Sequence, residues 1–478
     1  MCNIAYPQMD GLKKKISYEF SGRVIVSLLA ALLSIFLARY LGPDSYGLFR
    51  LALSLFAIIA IFVQWGIPKS AARYISITET DSAKANIILF SLIYNILLGL
   101  LATAFLFVGK DIIIDFFDEP RLRPLLFLGV LYLFTSVVEY NIRYAFQGLN
   151  VIKYSSLVNI FSGSGRFFVV TTLVLLGFGV QGAFIGYISG SVISALIGVY
   201  FLKRIINRFS LDFDKGLQQR ILKYSVPIGF MKISDSTQRI DELLIAFYIG
   251  PAAVGVYSVC KQITKFLEIP AATVGFSIAP SFGFEDDLDQ KNTAKKAYQN
   301  LLEKILLFYF PVCMVIAVIS EDVLLGLFGS EYVNGTKTLQ ILMLFVLFRS
   351  ISKLTNSSID YMGRAKYRSY AMFVVLIILI SGNIIFIPVL GIEGAAMTTV
   401  LAYGIYSLTT VIILHMEVSL KTPKIITIVF KGFLMSILFG AISFGLSELF
   451  SGLLLFGVAM VVCATLWSTI MYVNQYYG

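Results

Sequence analysis

Apolar segments about as long as a membrane-spanning helix follow one another along almost the whole chain. A helix needs about 20 apolar residues to cross the hydrocarbon core of a bilayer, and barrel strands are only about half that length. Because lipid cannot hydrogen-bond to the backbone, only a helix or a closed barrel can span it. With 58% hydrophobic and 14% charged residues, the chain is also too apolar for one globular core. The sequence therefore predicts an all-α integral membrane protein with about 14 transmembrane helices.

The predicted spans extend over nearly the full length of the chain. They are 20–41, 47–67, 85–108, 124–146, 155–176, 182–202, 221–249, 253–280, 303–327, 338–360, 369–390, 394–416, 425–447 and 451–474. We expect five regions from this pattern: a cytoplasmic N-terminal segment (1–19), an N-terminal lobe of spans 1–6 (20–203), an amphipathic cytoplasmic linker (204–220), a C-terminal lobe of spans 7–12 (221–416) and two additional helices (425–474).

The distribution of basic residues predicts the orientation of these spans. If the N-terminus is cytoplasmic, the inner loops and their flanks contain 23 Lys and Arg residues, and the outer ones contain 6. Cytoplasmic loops of membrane proteins have an excess of Lys and Arg. We therefore expect a multi-pass protein of the cell membrane with both termini in the cytoplasm. The formal net charge of +10 is then explained by topology, and we expect no nucleic-acid partner.

Four short motifs occur twice, in the same order, in the two halves of the chain. ARYLGPDSYGLF begins at Ala38, and its counterpart AFYIGPAAVGVY begins 208 residues later. GKDIIIDFF matches SEDVLLGLF, FQGLNVIKY matches YMGRAKY, and GVQGA matches GIEGA, at offsets of 211, 215 and 212 residues. An even number of spans separates the copies, so both halves insert in the same direction. The pattern predicts two six-helix lobes, a parallel repeat with a pseudo-two-fold axis along the membrane normal.

Glycine and proline define the turns within this repeat. A Gly-Pro pair ends one helix and turns the chain sharply into the next, and a second glycine lets the returning helix start in close contact with its partner. The predicted turn residues are Gly42, Pro43, Gly47, Gly250, Pro251 and Gly255.

Charged residues occur within the predicted spans, where they are costly and are usually functional or paired. Nine of them are cations, and they outnumber the acids at similar depth. We expect them to line a shared aqueous cavity that suits an anionic passenger. The candidate substrate-binding residues are Arg23, Arg143, Arg166, Lys232, Arg239, Lys261, Lys265, Arg349 and Lys353. The candidate coupling or pairing acids are Glu139, Asp235, Asp241, Glu268 and Asp360.

Several of these charges also have a purely structural interpretation. Arg23, Lys232 and Lys353 could extend their head groups to a membrane interface. Glu139 and Asp235 could form i,i+4 pairs with Arg143 and Arg239. Asp241 lies near the outer end of span 7 and could simply face water, whereas Lys261, Lys265 and Arg349 have fewer matching acids, which favours a cavity role for them.

The whole chain, over residues 10–475, resembles the multidrug/oligosaccharidyl-lipid/polysaccharide (MOP) flippase superfamily, and specifically its polysaccharide transporter branch of Wzx-like repeat-unit flippases. LARYLGPDSYGLF, GIPKSAARYI, LIAFYIGPAAVGVY, GVQGAFIG and GIEGAAMTT are the motifs that resemble it. The resemblance implies a flippase that moves polyisoprenyl-(pyro)phosphate-linked oligosaccharide to the outer leaflet by alternating access through a central cationic cavity. It also implies coupling to an ion gradient. The implied partners are membrane lipids and polysaccharide-assembly enzymes, and no cofactor is implied.

Three other functions remain open on the sequence alone. A lipid II-type flippase would also need a cationic cavity, whereas a multidrug or cation antiporter would need an acidic one. A membrane glycosyltransferase or polymerase would need a sizeable loop with catalytic acids. The loop 281–302 contains Glu285, Asp286, Asp287 and Asp289, but the lysines that follow indicate a solvated linker. We therefore expect no enzymatic activity and no metal site. The four cysteines are scattered and predict neither a disulfide framework nor a zinc site.

Overall fold

A computed structural model describes residues 9–206, 214–235, 237–282, 288–420 and 422–449, with residues 457, 458, 461, 462 and 465 beyond them. Within these ranges the chain is helical and contains no strand. The helices are α1 (Met9–Gln64), α2 (Ile67–Ile77), α3 (Asp81–Phe117), α4 (Leu122–Gly148), α5 (Ile152–Leu173), α6 (Gly179–Ile205), α7 (Lys215–Asp235), α8 (Thr237–Tyr248), α9 (Pro251–Ile278), α10 (Leu288–Val318), α11 (Ser320–Phe328), α12 (Thr336–Tyr361), α13 (Ala365–Val418) and α14 (Thr422–Ser447).

Eight helical segments of the described ranges are long and apolar enough to cross a membrane. Three of them, Ile25–Gln64, Ile152–Ile205 and Ala365–Val418, are 40 to 54 residues long. That is about twice the length that one crossing requires. An all-helical membrane protein is therefore confirmed. The second of the two predicted C-terminal helices lies mostly outside the described residues.

Glycines with positive φ break these double-length helices. Gly42 interrupts α1 with φ 73° just before Pro43, and Gly391 interrupts α13 with φ 64°. Gly179, the sequence counterpart of Gly391, has φ 52° where α6 begins, and Gly250 has φ 117° just before α9 begins. Only glycine adopts such angles without steric cost. The backbone thus turns at corresponding positions of the two sequence repeats.

The chain divides into two compact units. Unit 1 comprises Met1–Arg239 with Gly250–Ala252, and unit 2 comprises Ile240–Ile249 with Ala253–Gly478. In unit 1, buried side chains of α2 to α6 form an apolar core around Ile75, Ile142, Phe146 and Val158. In unit 2, α12 packs against α13, and α10 packs against α12 and α14.

Two regions differ from the expected boundaries. Predicted span 7 is divided between α7 and α8. The expected loop 281–302 is wrong for most of its length, because α10 already begins at Leu288. The physical reason is that hydropathy detects only the apolar part of a helix, whereas the first turns of α10 are amphipathic and charged. Glu285, Asp286 and Asp287 lie outside the described residues.

Candidate functional site

Asp241 is the centre of a buried polar cluster in unit 2. Its carboxylate on α8 forms an ion pair with Lys261 on α9. Tyr257 Oη donates to Asp241 Oδ2 at 3.0 Å, and Asn383 Nδ2 of α13 donates to Oδ1 at 2.8 Å. Thr399 Oγ1, also on α13, lies 3.2 Å from Oδ2. Three helices therefore meet at one carboxylate.

The interpretation that Asp241 faces water is wrong. Its exposed fraction is 1%, and that of Lys261 is 2%. Sequence position placed Asp241 near the end of a span, but α9 and α13 cover it from two sides. Lys261, for which the sequence offered few matching acids, pairs with this acid of the neighbouring helix.

A second cluster in unit 2 contains one acid and two cations. Glu268 Oε2 on α9 lies 3.2 Å from Arg349 Nη2 and 3.3 Å from Lys353 Nζ, both on α12. The guanidinium of Arg349 also lies over the Tyr403 ring, 5.0 Å from its centroid. Glu268 Oε1 is buried and accepts no hydrogen bond from the residues that the structure describes. The three side chains together have a formal charge of +1.

In unit 1, Arg166 connects α4, α5 and α6. Its Nη2 lies 3.1 Å from Glu139 Oε2 and donates to Ser191 Oγ at 3.2 Å. The guanidinium lies 5.3 Å from the centroid of the Tyr187 ring. Glu139 thus pairs with Arg166 on another helix, and the i,i+4 pair with Arg143 is not formed.

Three further cations of unit 1 make looser contacts. Lys232 Nζ donates to Gln64 Oε1 at 3.2 Å and lies 4.1 Å from the centroid of the Tyr140 ring. Arg239 Nη1 lies 3.5 Å from Ser54 Oγ. Arg143 Nε is buried and has no hydrogen-bond partner among the described residues.

Four candidates remain: Lys265, Asp360, Arg23 and Asp235. Lys265 is half-buried on α9. Asp360 is exposed at the end of α12, where Arg368 Nε lies 3.0 Å from its Oδ1. The side chains of Arg23 and Asp235 lie outside the described part of the chain.

One ion pair lies at the turn made by the first Gly-Pro motif. Arg121, between α3 and α4, donates to both carboxylate oxygens of Asp44, at 2.5 and 3.1 Å. It also donates to Glu119. The hydrogen bond from Arg121 lowers the pKa of the Asp44 carboxyl below its usual value. Both side chains of the pair are half exposed, so the pair contributes at most about 1 kcal/mol.

Sequence reasoning missed the uncharged members of these clusters. Asn383 and Thr399 complete the surroundings of Asp241, and Tyr187 and Tyr403 face the two arginines. The charge census could not find them because it counted only ionisable residues. An asparagine in the apolar sequence ISGNIIFIPVL was the available signal.

Comparison with known proteins places the chain in a family. The sequence model of the family described as "Polysaccharide biosynthesis protein" matches residues 12–283, more than half of the chain. The chain belongs to the polysaccharide biosynthesis protein family. A second family model, MatE, matches residues 227–385.

Two relatives agree with this membership, and a solved structure has a similar fold. A "Putative O-antigen transporter" of Shigella flexneri is 22% identical over 74% of this chain and 85% of its own length. A "Probable flippase AglR" of Haloferax volcanii is 22% identical over 87% of this chain and 86% of its own length. The structure of "Lipid II flippase MurJ, inward closed conformation" superposes with a TM-score of 0.78 at 16% identity, over 96% of this chain and 99% of that one. This likeness shows that the chain has the same fold as that protein.

Proposed function

We propose that the protein is a flippase, and not an enzyme, that moves polyisoprenyl-(pyro)phosphate-linked oligosaccharide units from the inner to the outer leaflet of the cell membrane. Membership in the polysaccharide biosynthesis family supports this function. So do the relatives named as a putative O-antigen transporter and as a probable flippase. Lipid-linked oligosaccharide is the proposed substrate, and polysaccharide-assembly enzymes are the proposed partners.

The proposed architecture is 14 spans in two six-helix lobes with two additional helices, both termini in the cytoplasm and the domain boundaries expected above. The four paired motifs and the glycine breaks at Gly42, Gly179, Gly250 and Gly391 support the repeat. Two parallel repeats permit alternating access by rocking of one bundle against the other. An ion gradient would drive the cycle.

The observation that best supports an anionic lipid substrate is the cluster of Glu268, Arg349 and Lys353. A guanidinium presents a planar fork that matches a phosphate group bidentately, and a lysine adds a point charge. The buried Glu268 Oε1, which has no donor among the described residues, can accept a hydrogen bond from a sugar hydroxyl. The cluster therefore offers donors for the phosphate and an acceptor for the sugar.

The test is transport by an Arg349→Gln variant in proteoliposomes that contain a fluorescent polyprenyl-pyrophosphate oligosaccharide. Glu268 keeps Lys353 as its partner in this variant, so the acid is not left unpaired. A hydrogen bond to a charged group contributes about 1.5–3 kcal/mol, which is a loss of about 10- to 150-fold in substrate affinity. Arg349→Lys should recover part of the transport, because it restores the charge without the bidentate geometry.

The matched control is Arg364→Gln, which removes the same charge from an exposed ion pair with Glu417 in the same unit. We expect this control to transport like the unmodified protein. Unchanged transport by Arg349→Gln, at equal protein incorporation, would remove Arg349 from the substrate path.

A further inference from the structure

A shallow groove between α3 and α4 lies on unit 1, separate from the ion-pair clusters described above. It is an open depression of the surface and encloses only about 10 Å³. Its floor is apolar and includes Phe107, Leu126, Phe127 and Val130, and the Phe107 and Phe127 rings contact each other edge to face, with centroids 5.5 Å apart. Lys110 and Arg123 line the same groove.

The two cations of the groove differ in how far they are neutralised. Arg123 Nη2 lies 2.9 Å from Asp111 Oδ1, and both side chains are exposed. Lys110 is half-buried and forms no ion pair within the part of the chain that the structure describes. The groove therefore combines an apolar floor with a positive charge that no described carboxylate balances.

Because charged residues follow the long apolar stretch of α3, we expect the groove near the level of the lipid head groups. The apolar stretch of α3 ends at Val108, which is 84% exposed, and Phe105 is 79% exposed. Such exposure on a membrane helix places these side chains against lipid chains. Lys110 comes two residues after Val108, and a cationic side chain at the end of an apolar stretch can reach the lipid phosphate groups.

We propose that this groove binds one anionic phospholipid with two acyl chains. An acyl chain lies on the apolar floor, and the lipid phosphate lies between Lys110 and Arg123. Free phosphate would not use the apolar floor, and a zwitterionic lipid would not match the net positive charge. The site requires no transport step, so the proposal is independent of the proposed flippase function.

Native mass spectrometry of the purified full chain in detergent tests this, with phosphatidylglycerol and phosphatidylcholine as separate probes. A cation near a membrane surface contributes about fivefold to the binding of an anionic lipid. We expect Lys110→Gln to weaken the tightest phosphatidylglycerol site about fivefold and to leave phosphatidylcholine binding unchanged. The matched control is Lys337→Gln, which removes an exposed lysine outside the groove. It should change the binding of neither phosphatidylglycerol nor phosphatidylcholine.

A photo-crosslinking amino acid in place of Phe127 locates the lipid without disturbing either cation. We expect it to capture phosphatidylglycerol in preference to phosphatidylcholine. Equal weakening of phosphatidylglycerol binding by Lys110→Gln and Lys337→Gln would overturn the proposal. Equal affinity of the unmodified protein for phosphatidylglycerol and phosphatidylcholine would also overturn it. Displacement of phosphatidylglycerol by an equimolar polyprenyl phosphate would also overturn it, because the groove would then belong to the passenger lipid.

Discussion

The ion pair of Asp241 and Lys261 should couple the stability of α8 to that of α9. Breaking a buried pair by removing one partner costs about 3–5 kcal/mol, whereas replacing both partners is often nearly neutral. After Lys261→Met, the carboxylate still accepts hydrogen bonds from Tyr257 and Asn383. We therefore expect a loss in the free energy of unfolding at the low end of that range, about 3 kcal/mol.

Asp241→Asn should cost more, about 5 kcal/mol. It removes the carboxylate that pairs with the 2%-exposed Lys261, and the new amide faces the Asn383 amide that now donates to Asp241. The double variant Asp241→Asn/Lys261→Met removes both charges. It should recover most of the loss and remain within about 2 kcal/mol of the unmodified protein.

Unfolding by sodium dodecyl sulfate in mixed micelles, followed by circular dichroism, measures these free energies. These losses correspond to a coupling energy of about 6 kcal/mol in the double-mutant cycle. Lys337→Met, at an exposed position, is the control and should change stability by less than about 0.5 kcal/mol. If the stability losses of the two single substitutions sum to the loss of the double variant within about 0.5 kcal/mol, the pair does not hold the helices together and the reasoning is refuted.

Two further predictions concern packing and pH. Gly129→Ala would place a methyl group 1.8 Å from a ring carbon of the fully buried Phe56, so we expect a loss of about 1–3 kcal/mol in the free energy of unfolding in the same assay. In the control Gly109→Ala the added methyl group meets nothing within 4 Å, so stability should be unchanged or higher. Equal effects of the two substitutions on stability would contradict this account. Because the folded pKa of Asp44 is lowered, its pairing with Arg121 stabilises the fold above about pH 4 and the contribution is lost as the pH falls further. The difference in melting temperature between the unmodified protein and Asp44→Asn should therefore shrink between pH 5 and pH 3, and a constant difference would show that the pair does not stabilise the fold.

The sequence predicted an all-helical membrane protein because the bilayer imposes the length and the apolarity of each spanning helix, whatever its neighbours are. It also located the breaks at Gly42 and Gly250, because glycine before proline is a local signal. The start of α10 at Leu288 could not be found in this way. Hydropathy detects contact with lipid, and the first turns of that helix are polar.

Ion pairing was beyond the sequence because it depends on which helices pack together. Spacing along one helix offered Arg143 as the partner of Glu139, but the fold supplies Arg166 from α5. Lys261 and Arg349 looked unmatched for the same reason, since their acids lie on other helices. The predicted excess of cations over acids within the spans came from counting residues, and the cluster of Glu268, Arg349 and Lys353 has such an excess.

The most direct test of the proposed function is the substrate preference of the unmodified protein in proteoliposomes. Three probes should be compared at equal concentration: a polyprenyl-pyrophosphate oligosaccharide, lipid II and a cationic dye. We predict that the lipid-linked oligosaccharide is flipped, that lipid II is flipped more slowly and that the dye is not transported. Transport of the dye without transport of either lipid would contradict the proposed function.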